Sequence, residues 1–161
     1  MNEGVHQGFL GTAAPRYADV VLVFEMGMGL ALLVGAVLAR RKMFRLHAWC
    51  QAAVVLLNLA AILLVMVPSF QSRVGPRIPA KLGNAYYALA TLHAALGTAT
   101  EIAGLYILLA AGTNLLPQRF RMTRYKLWMR GVLASWWLVL LLGLATYGRW
   151  YVECVVVLRS G

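Results

Sequence analysis

Residues 86–106 read YYALATLHAALGTATEIAGLY, a stretch that is apolar enough and long enough to cross a membrane as a single helix. It carries two ionisable side chains, His93 and Glu101, in its interior. An ionisable group in the hydrocarbon core is costly unless it is paired or faces the inside of a helix bundle. The stretch therefore predicts a membrane-spanning helix with one polar face turned toward neighbouring helices.

The composition of the whole chain is that of a membrane protein. Of the 161 residues, 61% are hydrophobic and 12% are charged, and the mean hydropathy is +0.73. Four apolar runs have the roughly 20 residues that a spanning helix needs, and they cover residues 18–39, 48–67, 85–111 and 131–151. We expect an all-α integral membrane protein, a four-helix bundle with up-down-up-down topology over residues 18–151, between tails 1–17 and 152–161.

The basic residues cluster in two of the loops. The segment RRKMFRLH (40–47) holds four and the segment RFRMTRYKLWMR (119–130) holds five, together nine of the fifteen Lys and Arg residues. The positive-inside rule places these loops in the cytoplasm and both termini outside. We predict a multi-pass protein of the inner (cytoplasmic) membrane of a bacterium, with its net charge of +10 in contact with anionic headgroups. No nucleic-acid partner is expected, because no stretch resembles a nucleic-acid-binding module.

Polar and small side chains recur at helical spacing on three of the predicted helices, which identifies the faces that we expect to turn inward. Glycine on such a face permits close approach of a neighbouring helix. The stripes are Glu25 and Gly29 on the first helix, His47, Gln51 and Asn58 on the second, and His93, Gly97, Glu101 and Gly104 on the third.

The depth of these residues predicts which of them meet. Glu25 and His93 each lie on the order of 10 Å below the outer boundary, so we expect a contact between them. Asn58 and Glu101 lie nearer the middle, and we expect them to form a second pair. His47 lies at the cytoplasmic margin, roughly 20 Å from His93 along the membrane normal.

This separation bears on a haem or metal site. Two histidines that clamp one haem must lie at matching depth, so His47 and His93 cannot do so together. Ligation by His93 with Met28 as a weak second ligand remains open, as does a Cu(I) site formed by Met26, Met28 and His93, because thioethers suit that ion. The alternative is that the buried Glu and His side chains only bond to neighbouring helices.

The sequence offers little for independent catalysis. No HExxH motif, P-loop or nucleophile elbow occurs, and only five residues are acidic. Cys50 and Cys154 are predicted on opposite sides of the bilayer, which is incompatible with the roughly 7 Å limit for a disulfide. We therefore expect two free thiols and no enzyme activity.

The same positions resemble a family pattern. The matching features are the basic turn with a histidine, ARRKMFRLHAWCQ (39–51), the outer loop RVGPRIPAKLGNAYY (73–87), the histidine in YYALATLHAALGTAT (86–100), and Trp136, Gly143 and Tyr147 on the fourth helix. Over residues 18–151 the chain resembles the small CtaM-like (YozB-like) four-helix membrane proteins. It departs from them at Tyr125, where the family usually has a histidine, and at Leu142, where it tends to have a threonine.

The resemblance implies a role in the assembly or maturation of haem–copper respiratory oxidases. On this reading His47 and His93 contact haem or a metal transiently, and the partners are other membrane subunits of a respiratory complex. The alternative is a non-catalytic accessory subunit of a larger respiratory or photosynthetic electron-transfer complex. Glu25, His93 and Glu101 would then hold the bundle together or contact a lipid or quinone.

The orientation can be tested by cysteine labelling. In a chain without Cys50 and Cys154, we expect Arg41→Cys and Arg121→Cys to react with an impermeant maleimide only after the membrane is opened, because both lie in the basic loops. Lys81→Cys, in the loop predicted outside, should react in intact cells. Reaction of either Arg variant in intact cells would reverse the orientation.

Overall fold

The computed structural model describes residues 8–112 and 124–152, and this part of the chain is helical without any strand. The α-helices are α1 (Arg16–Arg40), α2 (Phe44–Ala61), α3 (Val67–Arg73), α4 (Ala85–Gly112) and α5 (Tyr125–Tyr147). Four helical stretches are long and apolar enough to cross a membrane, namely Arg16–Arg40, Phe44–Arg77, Ala85–Gly112 and Lys126–Tyr151. The prediction of an all-helical structure with four helices able to span a membrane is confirmed, whereas the up-down-up-down topology and the orientation in the membrane stay predictions.

The second spanning stretch is longer than the expected residues 48–67. A π-helical turn, Ile62–Met66, joins α2 to α3, and Pro68 occupies the first turn of α3. Proline has no N–H and its ring crowds the carbonyl four residues earlier, so an uninterrupted α-helix is strained at this point. The wider π turn lies where that crowding falls, and the chain continues as a helix beyond the proline.

The helices pack as two hairpins. A short turn through Lys42, which has a positive φ of 61°, connects α1 to α2, and the Arg41 N–H donates to the Val37 carbonyl at 2.9 Å. The most extensive contacts are between α1 and α2 and between α4 and α5, and the hairpins meet through α1 against α5 and α2 against α4. The apolar centre consists of Met28, Leu32, Val54, Val55 and Trp136.

The two ends of the bundle differ in chemistry. We call one the basic end, where the described cations are Arg40, Arg41, Lys42, Arg45, Arg124, Lys126 and Arg130. We call the other the tyrosine end, where Tyr17, Tyr86, Tyr87, Tyr147 and Tyr151 gather around α3. Arg119, Arg121, Cys154 and most of the C-terminal tail lie outside the described residues. Cys50 is described, and it is a free thiol.

One glycine of α1 lies where that helix packs closely on α5. A Cβ on Gly29 would lie 2.7 Å from Leu140 Cδ1 and 3.5 Å from Trp137 Cη2, so a side chain there would press on both residues of α5. A Cβ on Gly27, two residues earlier on the same helix, would meet nothing within 4 Å.

This difference predicts opposite outcomes for two substitutions. Gly29→Leu should lower the free energy of unfolding by about 1–3 kcal/mol, because the added side chain overpacks the α1–α5 contact. Gly27→Leu is the matched control and should unfold at nearly the wild-type denaturant concentration in detergent. Equal destabilisation by both variants would show that the close contact at Gly29 does not limit stability.

Candidate functional site

The polar centre of the bundle is a hydrogen bond between α2 and α4. Asn58 Nδ2 donates to Glu101 Oε2 at 2.8 Å, and the two side chains are 8% and 3% exposed. A polar pair of this kind places its hydrogen-bonding groups together and away from lipid. The structure therefore brings together the two residues whose depths in the membrane predicted the contact.

Glu25 lies near the same centre, although no hydrogen bond from residues 8–112 or 124–152 is seen at its Oε1. Oε1 of Glu25 and Oε1 of Glu101 are both buried and have no hydrogen-bond partner in the described part of the chain. The carboxyl groups of Glu25 on α1 and Glu101 on α4 lie close enough to interact electrostatically. Two acidic side chains thus approach each other in the bundle interior, and Asn58 donates a hydrogen bond to one of them, Glu101.

The predicted contact between Glu25 and His93 is wrong. Nδ1 of His93 instead hydrogen-bonds to the Val139 carbonyl oxygen of α5 at 3.0 Å. The ring packs against Gly143, where a Cβ would lie only 3.0 Å from His93 Cε1. Close packing of α4 on α5 directs this histidine away from α1.

His93 and Glu101 contact different helices because their side chains point in different directions around α4. Eight residues separate His93 from Glu101, which at 3.6 residues per turn rotates their directions by roughly 80°. That rotation lets Glu101 face Asn58 on α2 while His93 faces α5. The four-residue spacing placed both on one broad face but did not distinguish its two edges.

His47 makes a similar bond in the other hairpin. Its Nδ1 hydrogen-bonds to the Gly35 carbonyl oxygen of α1 at 2.8 Å, and the side chain is half-buried. Cys50 Sγ donates to the Ala31 carbonyl at 3.3 Å, and the Gln51 amide packs against Gly35. His47 and Gln51 therefore face α1 as expected, and the two histidines belong to different helix pairs.

The proposed copper ligands are not brought together. Met26 is 40% exposed on the outer side of α1, whereas Met28 is 4% exposed and packs in the apolar centre. Their separation of two residues turns them roughly 200° apart around the helix. Among residues 8–112 and 124–152, no group of three or more His, Cys, Asp or Glu side chains could hold a metal ion.

One buried carboxylate escaped the sequence analysis. Asp19, in the first turn of α1, is fully buried, and it accepts hydrogen bonds from the Leu10 N–H at 2.9 Å and from the Tyr147 hydroxyl. The Tyr147 hydroxyl also hydrogen-bonds to Thr12 Oγ1 at 2.7 Å. The usable signal was an acidic residue at a helix N-terminus, where it complements the unpaired N–H groups.

Arginine and tyrosine side chains complete the tyrosine end. Arg73 donates to the hydroxyls of Tyr17 and Tyr151, and Arg77 donates to the Tyr87 hydroxyl at 2.8 Å. Residues 8–15, expected to belong to a free tail, fold back on this end, where the Ala13 N–H donates to the Tyr151 carbonyl. These bonds connect α1, α3, α4 and α5 and stabilise the end of the bundle.

The fold and the polar interior define the class, a multi-pass helical membrane protein with four spans. Comparison with known protein families, with characterised proteins and with solved structures gives no match to this chain.

The central hydrogen bond can be measured by a double-mutant cycle. Asn58→Leu and Glu101→Met should each lower the free energy of unfolding in detergent, because each leaves a buried polar group without its partner. The double variant should be more stable than the sum of the two losses predicts, with a coupling energy of about 1 kcal/mol. Additive losses would mean that the two side chains do not stabilise each other.

Proposed function

We propose that this protein is a non-catalytic membrane factor in the assembly of a haem–copper respiratory oxidase, and that His93 contacts the haem iron transiently. The resemblance of the two histidine-containing segments and of the fourth helix to the CtaM-like family supports this role. The observation that carries it is the orientation of the His93 ring. The proposed cellular location is the inner membrane of a bacterium.

The hydrogen bond of His93 makes Nε2 the candidate ligand atom. A backbone carbonyl only accepts hydrogen bonds, so the N–H of the neutral ring lies on Nδ1, toward Val139, and the lone pair lies on Nε2. Metal-ligating histidines are commonly held by such a bond from their other ring nitrogen. His93 is half-buried, so it is not sealed in the bundle core.

Gly143 supports the same ring. The absence of a side chain at Gly143 lets the imidazole pack closely on α5, with Cε1 3.0 Å and Nε2 3.8 Å from the position that a Cβ would occupy. A substituted residue there would displace the ring and its nitrogen. Gly143 is thus a positioning residue for His93, and it is one of the family-like positions of the fourth helix.

His47 provides a second contact of the same type near the basic end. Its Nδ1 is held by the Gly35 carbonyl in α1, which also leaves Nε2 as the lone-pair nitrogen of the neutral ring. The two histidines serve as separate contacts, because they bond to different helix pairs. Transient contact requires that each histidine bind haem weakly and reversibly. It does not depend on the distance between the two histidines.

The alternative proposal is a structural accessory subunit of a respiratory or photosynthetic complex. The hydrogen bond between Asn58 and Glu101 favours a structural role, because two of the few polar side chains in the interior serve to hold α2 against α4. Such a subunit remains in the mature complex at a fixed ratio, whereas an assembly factor is absent from the mature oxidase. Quantifying this chain in the purified oxidase separates the two proposals.

Haem binding by the full chain in mild detergent tests the role of His93. We expect a Soret band on titration with haem, and at least a tenfold weaker affinity for His93→Gln, whose amide can still donate to Val139 but offers no imidazole nitrogen. His6→Ala, which removes the third histidine of the chain, is the matched control and should bind as wild type.

A second measurement addresses assembly itself. Cells that carry His93→Gln in place of the wild-type gene should contain less mature haem–copper oxidase, at unchanged levels of this protein in the membrane. Wild-type haem affinity in the variant, or full oxidase content in cells that lack the protein, would contradict the proposal.

A further inference from the structure

A lateral groove of about 580 Å³ runs between α4 and α5 in the half of the bundle near the basic end. Small residues form its walls, with Ala99 and Ala103 on α4 and Gly131 on α5. Arg130 and Trp128 lie on the same groove, close to the start of α5. The volume is within the range of about 300–1,000 Å³ that is usual for small-molecule sites.

Thr100, at the floor of the groove, has no hydroxyl hydrogen left to donate to a ligand. The Thr100 hydroxyl donates to the Leu96 carbonyl at 2.8 Å, and it lies 2.6 Å from the Ser135 hydroxyl, which therefore donates to it. Thr100 is also buried. The rest of the groove surface is almost entirely apolar, so its depth suits an apolar chain.

The mouth of the groove has the opposite character. Arg130 is exposed there, and Lys126 lies one helical turn earlier, also exposed. The sequence contains no Asp or Glu between Glu25 and Glu101, and none between Glu101 and Glu153. Neither of the basic loops therefore has an acidic residue of its own, and no carboxylate among residues 8–112 and 124–152 pairs with Arg130.

We propose that this groove binds an acidic glycerophospholipid from the leaflet at the basic end. Its phosphate lies against Arg130, and one acyl chain lies between Ala99 and Ala103 of α4 and Gly131 of α5. Basic pockets between spanning helices are a known mode of acidic-lipid binding. Tryptophan is enriched at the level of the lipid headgroups, which suits Trp128 to this position. The lipid site is independent of any contact of His93 with haem.

The experiment is a lipid titration of the delipidated full chain in detergent, read by native mass spectrometry. Dioleoyl phosphatidylglycerol is the acidic probe, and dioleoyl phosphatidylcholine has the same acyl chains without net charge. We expect one phosphatidylglycerol to bind at least tenfold more tightly than phosphatidylcholine. Arg130→Gln should reduce this preference about tenfold, because it removes the charge at the mouth of the groove.

Matched variants separate the groove from general charge and volume effects. Arg45→Gln removes an exposed cation from the other hairpin at the same end, and it should change the affinity for phosphatidylglycerol less than twofold. Ala99→Leu fills the groove and should weaken both lipids about tenfold, whereas Ala53→Leu adds the same volume to an exposed position of α2 and should not. Thermal unfolding of each variant checks that the fold is intact.

Several results would overturn the proposal. Equal binding of the two lipids would exclude recognition of the acidic headgroup, and equal loss in Arg45→Gln and Arg130→Gln would show diffuse attraction to the basic end. Unchanged lipid binding in Ala99→Leu would place the lipid elsewhere. If that variant instead lost only co-purifying membrane subunits, the groove would be a helix-docking site and the lipid assignment would be wrong.

Discussion

The lack of water in the hydrocarbon core is the constraint on which the rest of this structure depends. A polar group within the spans must find its partner inside the protein, because lipid chains offer none. The interior contacts follow this rule, with a side-chain bond between Asn58 and Glu101, one between Thr100 and Ser135, and a ring nitrogen of His93 on a backbone carbonyl. These bonds fix how the apolar helices are rotated against one another.

The rule is not met everywhere in the interior. Glu25, Glu101 and Trp137 each bury a polar atom that has no hydrogen-bond partner in the part of the chain that the structure describes. Two of these atoms belong to Glu25 and Glu101, carboxyl groups of different hairpins that lie close enough to interact.

The charged side chains at the two ends of the molecule differ in their partners. At the tyrosine end, the charged side chains of Asp19, Arg73 and Arg77 form hydrogen bonds to tyrosine hydroxyls, and Asp19 also bonds to the N-terminal segment. At the basic end, the loops contain Lys and Arg but no Asp or Glu. One end is thus closed by internal bonds, and the other presents charge to its surroundings. His47 and His93 lie in separate hairpins.

The sequence by itself determined the four spans and the pairing of Asn58 with Glu101. Bilayer thickness and the cost of burying a polar group act on each helix separately, so length, hydropathy and depth can be read along the chain. Only the tertiary structure decided the partner of His93, the burial of Asp19 and the course of the second span past Pro68. These features depend on how far each helix rotates and on which surface packs against it. The groove beside Arg130 likewise exists only because small residues of α4 and α5 come to lie together.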